Sequence, residues 1–325
     1  MYESARTPMK PRDIRRRAST LMKQCWLTLL IASVLLCLFT WVGNAVEAHG
    51  ERLATEAYKT AYYAHLAEHH AGDDFDTSWV AVYQAEDAYD DAFTPWEWLG
   101  YGIDLIGLLF QCVIAIRLCR GLLSALRGGE CTPHCLLSGF TRTATACWLG
   151  LQRGLRILGW MLLPLLFSVL ISHIFSYFAD NVKRLLMLLI SLWATLHYAL
   201  AEVHLADAPY DSRTATEALR LAVDDADAFG LWQMCKVLWP VAIPFGITLA
   251  LALLNRFIPV PGTVENVVLG PYSMATSVFP LVCYVCIYDE IRQRIQAAEE
   301  AVPANEGLAR ARTLAADTKG KITHV

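Results

Sequence analysis

The chain has 325 residues, 55% of them apolar, a formal net charge of −4 and a positive mean hydropathy. Apolar residues cluster in runs of about 18 or more, long enough to cross a bilayer core, which excludes an ordinary pair of soluble domains. The charge is segregated, with basic tails and one acidic stretch, so the arginines call for no nucleic-acid partner.

Residues 1–25 are basic, with Arg6, Lys10, Arg12, Arg15, Arg16, Arg17 and Lys23, and Ile14, Ala18, Leu21, Met22 and Cys25 recur at helical spacing. This pattern predicts an amphipathic helix on an anionic membrane face. Residues 26–46 form the first apolar span. The run is longer than a signal-peptide core and follows an extended basic region, so it reads as an uncleaved signal anchor.

Residues 47–94 carry eleven acidic residues against only Arg52 and Lys59. Two helical stripes lie within them: Leu53, Ala57, Tyr58, Ala61, Tyr62 and Leu66, then Trp79, Val82, Tyr83, Tyr89 and Phe93. Gly72-Asp73-Asp74 between them is a turn signal. The expectation is an extracytoplasmic helical hairpin with its aromatic faces packed together, offering a protein partner an acidic surface. His65 and His69, at i and i+4, are weak metal candidates, because no third ligand is implied. A solvated helix end accounts for the same residues.

Thr94-Pro95-Trp96-Glu97 predicts a fresh helix start, with Thr94 as cap, Pro95 in the first position and Glu97 completing a capping box. The membrane bundle, residues 95–290, then has spans at about 98–116, 155–178, 185–203, 237–254 and 272–288. Asp104, Gln111, Gly100 and Gly107 share one inward face of the second span. Ser168, Ser172 and Ser176 form a small-residue contact surface in the third. The central segment, 185–207, carries Ser191, Thr195, Tyr198 and Glu202 on one stripe. With Asp104, this stripe is the candidate functional set. It reads either as a proton or cation relay or as a structural ion pair of Glu202 with Arg213 or Arg220. Residues 291–325 form a cytoplasmic tail, partly disordered by composition.

Of the 27 Lys and Arg residues, 22 fall on one side when the chain is threaded through six spans with both termini cytoplasmic. Amphipathic stretches at 14–25, 136–151 and 214–229 each precede a span, suggesting three repeated units. The overall expectation is an all-α polytopic membrane bundle with six transmembrane helices, embedded in a lipid bilayer.

Chemical motifs are sparse. Cys131-x3-Cys135, with His134 between, lacks the second pair of a zinc site and reads as a reduced turn. Gly100-Tyr-Gly-Ile-Asp104 is one residue off an intramembrane aspartyl-protease motif, and no second Asp lies deep in another span to complete the carboxylate pair. No phosphate loop or serine elbow occurs. No enzyme activity and no cofactor are expected.

Several short features carry a family resemblance: Tyr198-Ala-Leu-Ala-Glu202, Asp207 and Pro209 after it, Glu217-Ala-Leu-Arg220 ended by Gly230, the exit Tyr284 to Arg292, and the Ile14-to-Trp26 start. Through them, residues 139–294 resemble a bacterial integral-membrane family of unknown function, number 975. They are also similar to the membrane domain attached to some glycerophosphodiester phosphodiesterases. The resemblance implies a six-helix protein of the bacterial inner membrane and carries over no catalytic residues. The acidic hairpin departs from that pattern as an insertion. The functional expectation is a scaffold or envelope assembly and maintenance protein. The alternative is a small transporter or permease using the polar stripe.

Overall fold

The computed structural model describes residues 10–68, 75–137, 143–172, 176–208, 213–240 and 278–297. These residues are helical almost throughout and contain no strand. Eight helices have defined bounds: α1 (Pro11–Gln24), α2 (Trp26–Glu68), α3 (Phe75–Leu126), α4 (His134–Leu137), α5 (Thr143–Ser172), α6 (Ser176–His197), α7 (Ala201–Asp207) and α8 (Ala215–Phe229). Residues 231–240 (α9) and 278–297 (α10) are also helical.

Three segments among the described residues are long and apolar enough to cross a membrane: Trp26–His65, Val80–Leu126 and Leu186–Asp207. Large apolar side chains on α2, including Leu27, Leu30, Val34 and Leu38, and on α3, including Leu105 and Ile106, are exposed. A continuous exposed apolar band of this kind suits lipid rather than water. The turn at Gly72-Asp73-Asp74, His69 and the fifth span at 237–254 lie largely or wholly outside the described residues. So do the side chains of the Ser168/Ser172/Ser176 surface.

The dominant feature is the antiparallel pair α2/α3, of 43 and 52 residues. At 1.5 Å per residue, α2 is about 65 Å long, roughly twice the thickness of a bilayer core. Its register is set by close approaches. Leu36 lies opposite Gln111, Phe39 opposite Gly107, Gly43 opposite Asp104, Glu47 opposite Gly100, and Gly50 opposite Trp96. The expected Gly100/Asp104/Gly107/Gln111 face is therefore the one packed on α2. Trp98 and Tyr101 are exposed at this level, with Tyr101 Oη donating to Glu97 Oε1 at 2.7 Å. Amphipathic aromatic rings favour the membrane interface, so the residues beyond them form an arm.

One local expectation is corrected here. α3 runs through Pro95 without a restart, so no Thr94 cap forms and Thr94 Oγ1 instead donates to the Asp90 carbonyl at 2.6 Å. The helix persists because both sides of Pro95 pack on α2, which offsets one missing N–H. In the arm, Tyr58 of α2 and Tyr89 of α3 line one recess between the two helices. Ala54, Ala81 and Ala85 are fully buried along the seam, whereas Leu53 and Tyr83 are exposed. Small side chains let helix axes approach closely. The rings also stack along their own helices, Tyr58 on Tyr62 and Tyr89 on Phe93.

At the opposite end, α1, the end of α3, α7, α8 and α10 enclose a core that includes Ile14, Leu21, Leu118, Leu205, Leu219 and Tyr288. α1 buries its Ile14, Ala18 and Leu21 stripe there and is tied to α10 by Arg17 Nη2 to Asp289 Oδ2 at 2.7 Å. α8 starts at Thr214, whose hydroxyl accepts from Glu217 N at 3.2 Å. It stops at Gly230, where φ of +89° favours a residue without a Cβ. The middle amphipathic stretch forms no separate interfacial helix over 143–151, because α5 carries it directly into the apolar segment that follows.

Candidate functional site

The central segment is not one straight helix. α6 ends at His197, residues 198–200 form a turn, and α7 begins at Ala201. Ala199 N–H and Ala201 N–H bond to the carbonyls three residues back, Leu196 and Tyr198, at 3.3 and 3.2 Å. Tightening of this kind shifts the angular register of whatever follows.

A cavity of about 490 Å³ opens beside this break, lined by residues of α2, α3, α5, α6, α7 and α10. Its polar lining comprises Thr40, Gln111, Arg153, Thr195, Glu202 and Tyr284. Glu202 is almost fully buried and forms an ion pair with Arg153 of α5. Gln111 Nε2 donates to the Leu36 carbonyl at 2.8 Å, a backbone acceptor on the facing helix.

Of the five expected site residues, Glu202 and Thr195 meet at this cavity. Tyr198 and Ser191 are not among its lining; Tyr198 is buried, its ring 5.9 Å from the Arg156 guanidinium. Asp104 lies away from the cavity, with Oδ1 against Gly43. His65 lies near the end of α2, far along the arm.

The partner of Glu202 is Arg153, not Arg213 or Arg220. Arg213 Nη1 donates to the His204 carbonyl at 3.2 Å. No spacing rule links 153 to 202, and α5 also carries Arg156, so nothing along the chain singled Arg153 out.

Two further polar clusters hold α7 in place. Asp207 accepts from Tyr288 Oη at 2.7 Å and from Arg127 Nη2 at 2.6 Å, joining α7 to α10 and the end of α3. His204 is completely buried, with Nε2 2.9 Å from Asp225 Oδ2 of α8, an electrostatic contact rather than an aligned hydrogen bond. Its Nδ1 faces Arg292 Nη2 at 3.4 Å, and its ring meets Tyr288 edge-on at 4.9 Å. His197 similarly bridges the Trp193 carbonyl (3.0 Å) and Asp227 (3.3 Å).

Each ionisable side chain of α7 thus faces a partner of opposite charge or complementary polarity, contributed by another helix. An arrangement of this kind fastens helices where desolvated charges need compensation. Among the described residues no group of three or more His, Cys, Asp and Glu is arranged to hold a metal ion.

No family model, curated protein or solved structure matches the chain.

Proposed function

We propose that this chain is a six-span membrane protein with both termini cytoplasmic, and that it works as a non-enzymatic scaffold in envelope assembly or maintenance. The supporting observation is the unbroken α2/α3 pair, whose outer halves continue the apolar segments as one helical arm. Such an arm transmits position rigidly. Its exposed residues include Glu51, Glu56, Glu86, Asp87, Asp90 and Asp91, together with Tyr63 and Tyr83. Acidic groups beside exposed tyrosines suit a basic protein surface, where charge steers the encounter and aromatic rings supply contact area. On this reading the α7 ion pairs keep the bundle rigid beneath the arm.

The test compares wild type with the charge-neutralised arm variant E86Q/D87N/D90N/D91N, reading both the proteins that cross-link to the arm in the native membrane and thermal unfolding. The scaffold reading expects a defined arm cross-link that disappears in the variant while unfolding is unchanged. Identical cross-linking in both proteins would sink it.

A second reading, a small transporter, is favoured by one observation: a buried carboxylate lines a cavity at a helix break. Transporters use broken helices at binding sites. Proton or cation flux into liposomes that vanishes in Glu202→Gln at unchanged stability would establish this reading over the first.

A further inference from the structure

Three thiols from distant parts of the chain meet beside the end of α3. Cys25 stands at the bend between α1 and α2, Cys131 in the turn leading into α4, and Cys135 in α4 itself. Cys131 Sγ and Cys135 Sγ lie together against Gly121, and Cys25 interacts with Cys131. The turn is pinned there, with Thr28 Oγ1 of α2 donating to the Cys131 carbonyl at 2.9 Å and Cys135 N–H to the Thr132 carbonyl at 3.0 Å. Gly121 of α3 makes the room. A Cβ at that position would lie 2.7 Å from Cys135 Sγ and 3.1 Å from Cys131 Sγ. Cys131 and Cys135 are half-buried, so a small reagent can reach them, whereas Cys25 is buried.

Isolated buried cysteines serve as small apolar fillers. Two half-buried cysteines whose sulfurs lie together against one glycine, with Cys25 close to Cys131, match an attacking thiol placed beside a resolving one. We propose that Cys131 and Cys135 form a thiol–disulfide exchange site, with Cys131 attacking, Cys135 resolving and a small-molecule disulfide as co-reactant.

The Cys131 thiolate attacks one sulfur of R–S–S–R, forms Cys131–S–S–R and expels RS⁻. Cys135 then loses its proton to the expelled thiolate and attacks Cys131 Sγ, forming the Cys131–Cys135 bond and expelling a second RS⁻. Two protein thiols are oxidised and one disulfide is reduced to two thiols. The electrostatics agree with these roles. The hydrogen bond from Cys135, helped by that from Cys25, holds the Cys131 thiol down at about 6 against the effect of burial. The same bond pushes Cys135 up, with Arg117 pulling the other way, and burial raises Cys25 to about 12. Once Cys131 enters the mixed disulfide, the bond that keeps Cys135 protonated is gone.

The test uses the reduced full-length protein in micelles at mildly acidic pH, with 5,5′-dithiobis(2-nitrobenzoate) as the disulfide probe. Half-buried Cys147 and Cys235 serve as internal comparators. A thiol with this ionisation gains in thiolate fraction but loses intrinsic nucleophilicity, so Cys131 is expected to react about tenfold faster than either. Wild type should release two thiolates in the fast phase and yield a Cys131–Cys135 cross-linked peptide. Cys135→Ser should stop after one release with the probe still on Cys131, and Cys131→Ser should lose the fast phase. Wild-type Cys131 reacting no faster than Cys147 and Cys235, or a Cys25–Cys131 peptide in place of Cys131–Cys135, overturns the proposal. Both are read on the unsubstituted protein, so a variant that fails to fold leaves the question decidable.

Discussion

Arg153 of α5 and Glu202 of α7 face each other across the cavity as an ion pair whose carboxylate side chain is 4% exposed and whose guanidinium side chain is 27% exposed. The carboxylate is thus held out of water by its own partner. Removing one member leaves the other desolvated and uncompensated. Glu202→Gln is expected to lower stability by about 3 kcal/mol. The apolar double substitution Arg153→Met/Glu202→Leu should recover most of that loss, because it also removes the stranded charge. Thermal unfolding in detergent reads both. A Glu202→Gln protein as stable as wild type would show that the pair does not fasten the bundle.

Two glycines of α3 should behave oppositely. A Cβ at Gly107 would sit 2.5 Å from Phe39 Cβ, an atom next to the backbone of α2 that cannot swing aside, whereas nothing lies within 4 Å of one at Gly102. Gly107→Ala should therefore force the α2/α3 pair apart and cost about 1–3 kcal/mol. Gly102→Ala should stabilise by up to about 1 kcal/mol through helix propensity alone. Parallel unfolding curves of the two variants check the pair, and equal effects would contradict the close register.

Pro95 lies inside α3, in the arm. Its ring removes an N–H that would otherwise bond to the Asp91 carbonyl. Pro95→Ala should raise stability by about 1–3 kcal/mol and slow amide exchange in the adjacent turns. Hydrogen exchange on residues 90–97 is the direct measurement. Faster exchange there would mean that Pro95 relieves a strain the alanine restores.

The Cys131 thiol is lowered to about 6, so its thiolate persists to lower pH than that of an ordinary cysteine. Its alkylation rate with iodoacetamide should rise as pH increases through about 6 and then flatten, whereas an unperturbed thiol keeps gaining until about 8.5. Gly121→Ala, which crowds both sulfurs, should move the inflection upward. An inflection near ~8.5 in the wild-type protein would remove the stabilised thiolate.

Much of the helical layout was legible along the chain, because helix periodicity and apolar run length are local properties. The α1 stripe of Ile14, Ala18 and Leu21 and the Gly230 stop stand where those patterns put them. Glu202 as the central buried acid was readable too, since an ionisable group in an apolar run must find compensation. What the tertiary structure alone decided were the partners and the phase. Arg153 reaches Glu202 across 49 positions, and Tyr288 reaches Asp207 across 81. The turn at 198–200 interrupts the central helix, and Ala54, Ala81 and Ala85 are buried along the seam of the arm. Pro95 stays inside a helix that its own local signals would have ended. The physical reason is common to all four: pairing and close packing are set by which helices lie against each other, and that energy exceeds the local preferences a sequence displays.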